Sequence, residues 1–350
     1  MSEMEPQQAY QGFTPSSYGA LPVQDAVPLP VPPPMLRPLS TGEILDRTLA
    51  LYRRHFWLFV GIGAVPAVTS TLSSGIRFLF MSSFMPHFGG PVGAATQTMT
   101  PQELGSVMLL ELLFLPALLL FLLAYGVSQA ATVYAVEVLT RGTSMTAAEA
   151  YRAVRPHWLR WCGIMLRQLW TATWPFMVGV VFLGLGAAAS ALAGKKNPLL
   201  FGALALLAFA FMMAGTVFGV LNYIRVSLAQ VAGVVEDLGV GAALRRSRAL
   251  VAGRKGRIFL ALLLVYVLHM VAGGLQFPFV LLAKTAHGVQ RVVLMASDLL
   301  IAFVAMSLVT PVLSIAMSLF YTDERVRREG YDIELLLQRS AAEQTEAEAR

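Results

Sequence analysis

Three ionisable residues inside long apolar stretches are the positions at which this sequence could perform chemistry. His269 lies near the middle of one stretch, Asp298 lies about two helical turns into another, and Glu111 lies about one turn from the end of a third. A charge in the bilayer core costs roughly 2.5–3.5 kcal/mol on insertion scales, so such residues are paired, hydrated or functional. These three residues are therefore the candidate intramembrane polar site.

Two interpretations of this polar site remain open. Asp298 and His269 could bind a proton or a substrate, or they could be structural. The structural interpretation is preferred, with His269 satisfied inside the core and Asp298 paired with a basic residue at similar depth. The candidate partners of Asp298 are Lys284, Arg77 and Arg291.

The sequence offers no constellation typical of an enzyme. Its five histidines lack the spacing of metal ligands, and its one cysteine, Cys162, has no second cysteine for a disulfide or a redox pair. No pair of candidate catalytic residues shares one depth and one helix face. We therefore expect a protein that is not an enzyme and has no cofactor.

The elements that must position these residues are membrane helices. Hydrophobic residues make up 56% of the 350 residues and charged residues only 13%, whereas soluble chains average about 25% charged. Six apolar stretches each exceed the roughly 20 residues needed to cross a bilayer once. They are approximately 56–80, 105–139, 162–192, 199–235, 257–283 and 291–320. The predicted fold class is all-α, a polytopic membrane protein with six transmembrane helices.

The distribution of basic residues predicts the orientation. Nineteen of the 26 Lys and Arg residues fall at the ends and loops on one side of the six spans, and five fall on the other side. The basic side is normally cytoplasmic, so we expect both termini in the cytoplasm of a multi-pass protein of the bacterial inner membrane. The predicted domains are a disordered Pro-rich cytoplasmic tail (1–39), a membrane domain (40–322), and a cytoplasmic C-terminal helix with an acidic tail (323–350).

Amphipathic helices are predicted on the cytoplasmic side before spans 1, 3 and 5. Ser40 and Glu43 form a capping box before the first, and Glu236 and Asp237 precede the third. Basic residues on the first and third helices are candidate contacts for anionic lipid, namely Arg53, Arg54, Arg245, Arg246, Arg248 and Arg254. The recurrence of a lead-in helix followed by two spans suggests a threefold two-helix repeat, although convergence would give the same pattern.

Partners other than lipid are suggested by two short motifs. Gly215 and Gly219 form a GxxxG pattern, which favours close helix packing either within one chain or between two copies in a homo-oligomer. The prolines at Pro30–Pro33 could bind a cytoplasmic partner as a polyproline II helix, although a spacer is the simpler interpretation. The net charge of +6 is explained by cytoplasmic loops, so we expect no nucleic-acid partner.

Three segments resemble a known family. They are Arg37-Pro38-Leu39-Ser40-Thr41-Gly42-Glu43-Ile44-Leu45-Asp46-Arg47, Ala243-Leu244-Arg245-Arg246-Ser247 and Tyr321-Thr322-Asp323 with the charged residues after it. The resemblance is to bacterial six-helix membrane proteins named for the membrane domain attached to some glycerophosphoryl diester phosphodiesterases. It implies the six-helix membrane domain alone, because the chain lacks the acidic and histidine metal cluster of the catalytic domain.

Two functions are therefore carried forward. The first is a non-enzymatic membrane scaffold or lipid-associated protein whose basic helices lie on an anionic leaflet. The second is a small permease or transporter with a site between helices near His269 and Asp298. The depth and surroundings of these two residues distinguish the two hypotheses.

Overall fold

The structure is a computed structural model that describes residues 38–84, 101–192 and 198–330. Most of the predicted Pro-rich tail and all of the predicted acidic tail lie outside these residues. The described residues form α-helices, one short 3-10 helix (Arg155–His157) and no strand. The helices are α1 (Thr41–Arg54), α2 (Phe56–Phe84), α3 (Pro101–Thr140), α4 (Ala147–Val154), α5 (Trp158–Leu192), α6 (Pro198–Val226), α7 (Ala229–Val235), α8 (Val240–Val251), α9 (Lys255–Thr285) and α10 (Gly288–Glu329).

The prediction of six membrane-spanning segments is confirmed for the described residues. Six helical segments are long and apolar enough to cross a bilayer, and they correspond in order to the six predicted stretches. The fourth consists of α6 and α7 together. The last is α10, which continues without a break past Thr322 to Glu329, so no interruption of the helix marks the predicted domain boundary there.

Short amphipathic helices precede the first, third and fifth spans as predicted. The Ser40–Glu43 capping box of α1 is formed in both directions, at 3.2 Å and 2.7 Å. A second capping box, between Thr146 and Glu149, begins α4. The start of α8 differs from the prediction, because this helix begins at Val240 and Glu236 lies at the end of α7. The side of the membrane on which these helices lie stays a prediction.

Apart from the pair of α5 and α6, the long helices bury most of their packed residues toward one end, which we call the capped end because α1, α4, α7 and α8 lie there. All buried residues of α10 fall between Ser307 and Val326. On α2 no residue from 68 to 80 is buried, whereas Phe59, Ile62 and Ala67 are. The opposite half of the bundle, the far end, therefore exposes most of its side chains to whatever surrounds it. Around the bundle the helices follow each other in the order α9, α10, α2, α3, α5, α6.

Two adjacent carboxylates are buried at the capped end. The side chains of Asp323 and Glu324 are 0% and 2% exposed, so each needs a positive partner. Arg257, in the first turn of α9, reaches both, at 2.8 Å and 2.9 Å. Arg327 binds Asp323 at 2.9 Å, and Arg254 lies 3.3 Å from an oxygen of Glu324 that accepts no hydrogen bond. The ends of α9 and α10 are thereby joined.

The same ion-pair network holds the segment that leads into α1. The backbone N–H of Leu39 donates to Asp323 at 2.7 Å, and the Leu39 carbonyl accepts from Arg257 at 2.7 Å and from Arg327 at 2.6 Å. Leu39 itself is buried in the core. Both backbone groups of one residue are thus satisfied by side chains more than 200 residues away. This clamp fixes α1 against the ends of α9 and α10.

The fourth span is interrupted between α6 and α7, although it is the one span without an internal proline. The free backbone groups at the break are bound by side chains of other helices. Gln168 of α5 donates to the carbonyl of Val226 at 2.6 Å, and Ser247 of α8 accepts from the N–H of Leu228 at 3.1 Å. Irregular backbone in a membrane protein is tolerated when it is buried and satisfied in this way. The prolines of the other five spans lie within continuous helices.

We predict that Arg257→Gln strongly destabilises the protein. The substitution removes a cation that binds both buried carboxylates, and loss of one partner of a buried ion pair typically costs about 3–5 kcal/mol. Thermal unfolding of the purified protein in detergent should show a clearly lower melting temperature. Arg245→Gln is the matched control, because Arg245 is exposed and such surface changes stay within about 0.5 kcal/mol. Equal melting temperatures for the two variants would contradict the role of the clamp.

Candidate functional site

The arginines at the end of α1 project from the surface of the capped end. Arg53 and Arg54 are exposed, and Arg53 donates a long hydrogen bond to the carbonyl of Leu49, at 3.4 Å. Trp57, at the start of the first span, is 81% exposed. Tryptophan is enriched where membrane helices cross the interface between hydrocarbon and headgroups. The predicted lipid contacts Arg53 and Arg54 therefore lie beside a residue suited to that interface.

The predicted lipid contacts on α8 divide into two groups. Arg245 and Arg248 are exposed, and they lie three residues apart on one face of the helix. Arg246 points the other way and binds Glu236 through two nitrogens, at 2.7–3.0 Å, and Glu329 at 2.7 Å. The prediction of a lipid contact is therefore wrong for Arg246, because its donors are taken by carboxylates of the protein.

The charge of Arg246 is reinforced by these carboxylates. Its hydrogen bond with Glu329 is the main cause that raises the pKa of the guanidinium, and the bonds with Glu236 add to the effect. Arg254 lies between the exposed and the internally paired arginines in its surroundings, because it pairs with Glu324 while 38% of its side chain stays exposed. The rear of α8 is also held by Arg328, which donates to the carbonyls of Ala249, at 2.9 Å, and Ala252. The helix therefore presents Arg245 and Arg248 from a fixed position.

A third set of basic residues was not among the predicted contacts. Arg152 and Arg155, around the junction of α4 and α5, are exposed, and the neighbouring Trp158 is 42% exposed. The sequence carried a signal for this set, since Arg54-His55-Phe56-Trp57 and Arg155-Pro156-His157-Trp158 share an Arg-x-x-Trp spacing. The three short amphipathic helices α1, α4 and α8 are called the entry helices. We define the arginine surface as five exposed arginines on or next to these helices together with the two tryptophans, namely Arg53, Arg54, Trp57, Arg155, Trp158, Arg245 and Arg248.

His269 lies on an exposed face of α9, within the fifth span. Its Nδ1 is 2.8 Å from the carbonyl of Val265 one turn earlier in the same helix. The structural interpretation placed this residue in the core, and that placement is wrong because the side chain is exposed. A hydrogen bond to its own helix gives the ring a polar partner inside an apolar environment.

Asp298 is half-buried on α10, and its Oδ1 is buried without a hydrogen-bond partner. No basic group within the described ranges forms an ion pair with it. Arg291, two turns earlier on α10, lies over the ring of Phe78 at 5.7 Å instead. The predicted pairing with Arg291 is therefore wrong, and the side chain of Lys284 is not described. Glu111 lies in α3, and its side chain is also outside the description.

The GxxxG pattern is used inside the chain. A Cβ at Gly215 would lie 2.5 Å from the carbonyl oxygen of Pro175, and one at Gly219 would collide with the carbonyl of Ala172. Both contacts belong to α5, so α5 and α6 approach closely through these glycines. This packing on α5 is the intrachain alternative of the prediction, and a homo-oligomer through Gly215 and Gly219 stays a prediction.

Comparison with known proteins finds a family model that matches this chain. A family model described as a domain of unknown function, DUF8558, matches residues 87–322, which is more than half of the chain. No curated protein and no solved structure matches the chain. The match names no activity and no ligand, and the resemblance to phosphodiesterase-associated membrane domains stays a prediction.

We predict that Gly215→Val destabilises the chain without changing its oligomeric mass. The added methyl groups must force α5 and α6 apart, and overpacking of this kind costs about 1–3 kcal/mol or more. Gly202→Val is the control, since it lies on the same helix with nothing within 4 Å of a new Cβ. Thermal unfolding and light scattering in detergent are the measurements. If Gly215→Val separated a dimer into stable monomers, the intrachain role would be disproved.

Proposed function

This chain belongs to the DUF8558 family, and we propose that it is a non-enzymatic membrane scaffold that binds anionic lipid through its arginine surface. The proposal gives the protein a bilayer leaflet as its partner. It requires no substrate and no cofactor.

The observation that carries this proposal is the separation of the arginines into two groups at one end of the bundle. Arg246 and Arg257 bind buried or half-buried carboxylates, whereas the five arginines of the arginine surface remain exposed beside Trp57 and Trp158. Each basic residue near an anionic leaflet contributes about 1 kcal/mol of attraction. Exposed charge on a rigid, internally paired frame is what such a contact requires.

We further propose that the arginine surface faces the cytoplasm of a bacterial cell. The excess of basic residues on this side of the spans supports that orientation. Leu39 and Arg327 are hydrogen-bonded to each other, so the described domain begins and ends on the same side, as an even number of spans requires. The proposal places both termini in the cytoplasm and the protein in the inner membrane.

We also propose that the three entry helices derive from a repeated unit. The pairs α1 with α2, α4 with α5, and α8 with α9 each consist of an amphipathic helix followed by a span. A capping box begins both α1 and α4, and the Arg-x-x-Trp spacing recurs in the first two units. The third unit has neither feature, so its relation to the others depends on the order of the elements alone.

The double variant Arg245→Gln, Arg248→Gln tests the lipid proposal. Removal of two contributions of about 1 kcal/mol should weaken the binding of phosphatidylglycerol by about 10- to 30-fold at low salt, with little loss of thermal stability. Binding is measured on the purified full chain with vesicles of phosphatidylglycerol and phosphatidylcholine. Arg246→Gln on the same helix is the control, which should lower the melting temperature while the exposed arginines still bind lipid. Unchanged binding in the double variant would reject the proposal.

A small permease is the second candidate function, and two observations favour it. The fourth span is interrupted in the way that transporter helices often are, and Asp298 keeps a buried oxygen without a partner inside the last span. A carboxylate in that position could take up and release a proton. Within the described residues, His269 bonds to the carbonyl of Val265 in its own helix and forms no hydrogen bond with Asp298.

Asp298→Asn separates the permease from the scaffold. If the protein transports, the variant should fold normally and lose a proton flux that the parent shows in proteoliposomes, read with an internal pH-sensitive dye under an imposed potential. Ser297→Ala, the adjacent residue, is the control for general damage to α10. A parent protein without any flux above empty liposomes would remove proton transport from consideration.

A further inference from the structure

A cavity of about 350 Å³ lies between α2 and α3 at the far end of the bundle. It is lined by Ser70, Ser73, Ser74, Arg77, Phe114, Leu115, Ala117, Leu118 and Phe121, and we call it the α2–α3 cavity. Ligand sites in proteins commonly have volumes of about 300–1,000 Å³, so the space is large enough for a headgroup and the first part of a chain. Among the residues that the structure describes, His269, Asp298 and the arginine surface do not line it.

The wall formed by α2 is polar. Ser70, Ser73, Ser74 and Arg77 follow the i, i+3, i+4, i+7 spacing that places residues on one face of a helix. Three hydroxyls and the guanidinium of Arg77 therefore line one side of the cavity. The neighbouring Thr69 donates to the carbonyl of Pro66 in its own helix at 2.9 Å.

The wall formed by α3 is apolar. Phe114, Leu115, Leu118 and Phe121 line it and offer no polar side-chain atom. Phe114 also contacts Phe80 of α2 edge-on, with ring centroids 6.4 Å apart, which joins the two helices beyond the cavity. A ligand that uses both walls must carry hydrogen-bond acceptors on one side and hydrocarbon on the other.

The positions of the residues along α2 order the polar groups of the cavity. Arg77 lies nearest the far end, and Ser70 lies about 10 Å closer to the middle of the bundle at 1.5 Å per residue. Phosphate groups of lipids lie outermost in a leaflet, ester carbonyls lie below them, and acyl chains lie deeper. The guanidinium and the hydroxyls of the α2 wall follow the same order.

We propose that the α2–α3 cavity binds one anionic glycerophospholipid of the leaflet at the far end. Its phosphate accepts hydrogen bonds from Arg77, its ester oxygens accept from Ser73 and Ser74, and an acyl chain lies along the α3 wall. The lipid enters sideways, because the lining residues Leu115 and Leu118 of α3 are themselves exposed to the surroundings of the bundle. A water-soluble anion would gain nothing from the apolar wall. The inference adds a lipid site to the proposed function and uses none of the capped-end arginines.

Native mass spectrometry of the purified full chain, titrated with phosphatidylglycerol, tests this site. Ala117→Phe fills the cavity and should remove one tightly bound lipid, whereas Leu72→Phe, on the exposed face of α2, should leave the number unchanged. The triple variant Ser70→Ala, Ser73→Ala, Ser74→Ala keeps the cavity open and should weaken that lipid about tenfold or more. This second variant is informative even if Ala117→Phe does not fold.

Two comparisons identify the source of the anion and separate this site from the arginine surface. Phosphatidylcholine with the same acyl chains should bind more weakly, and millimolar inorganic phosphate should not displace the bound lipid. The site proposal fails if Ala117→Phe and the serine variant retain the full complement of lipid, or if inorganic phosphate competes. Loss of the lipid in the double variant Arg245→Gln, Arg248→Gln, but not in the cavity variants, would assign it to the arginine surface instead.

Discussion

The capped end depends on one constraint, namely that the buried carboxylates of Asp323 and Glu324 must be neutralised. Burial of an unpaired carboxylate costs several kcal/mol. The arginines around Asp323 and Glu324 are therefore held in place, because moving one away would leave a buried charge unpaired. Arg257 comes from the start of α9, and Arg327 from the same turn of α10 as the carboxylates. Leu39 is bound by the same groups. The segment before α1 therefore cannot move without breaking hydrogen bonds to Asp323 and Arg257.

This constraint explains why one end of the bundle is rigid and the other is loosely packed. Hydrocarbon side chains gain little from packing on each other when lipid is the alternative, so close packing must come from polar contacts or small residues. Both kinds are concentrated at the capped end and in the pair of α5 and α6. The far end has the α2–α3 cavity and long exposed apolar faces, which are suited to contact with lipid.

A rigid capped end also gives the exposed arginines a defined position. Arg245 and Arg248 project from a helix whose opposite face is bound by Arg246 to Glu236 and by Arg328 to its last carbonyls. A charge held at a fixed place on a surface loses less conformational entropy on binding than a flexible one. The ion pairs inside the protein therefore hold the exposed arginines in position for contact with lipid headgroups. This links the stability of the domain to its proposed lipid contacts.

The sequence alone was sufficient to predict six spans and the three entry helices, because apolar length and helical periodicity are local properties. It also indicated most of the exposed basic residues. It could not decide which arginine faces inward, since Arg245 and Arg246 are neighbours of the same type and only the position of Glu236 and Glu329 distinguishes them. The interruption of the fourth span could not be predicted from the sequence either. This span has no internal proline, and the break depends on Gln168 and Ser247 from other helices. The partners of Leu39, Gly215 and Asp323 lie up to 288 residues away, so tertiary structure alone decided which polar groups and glycines meet.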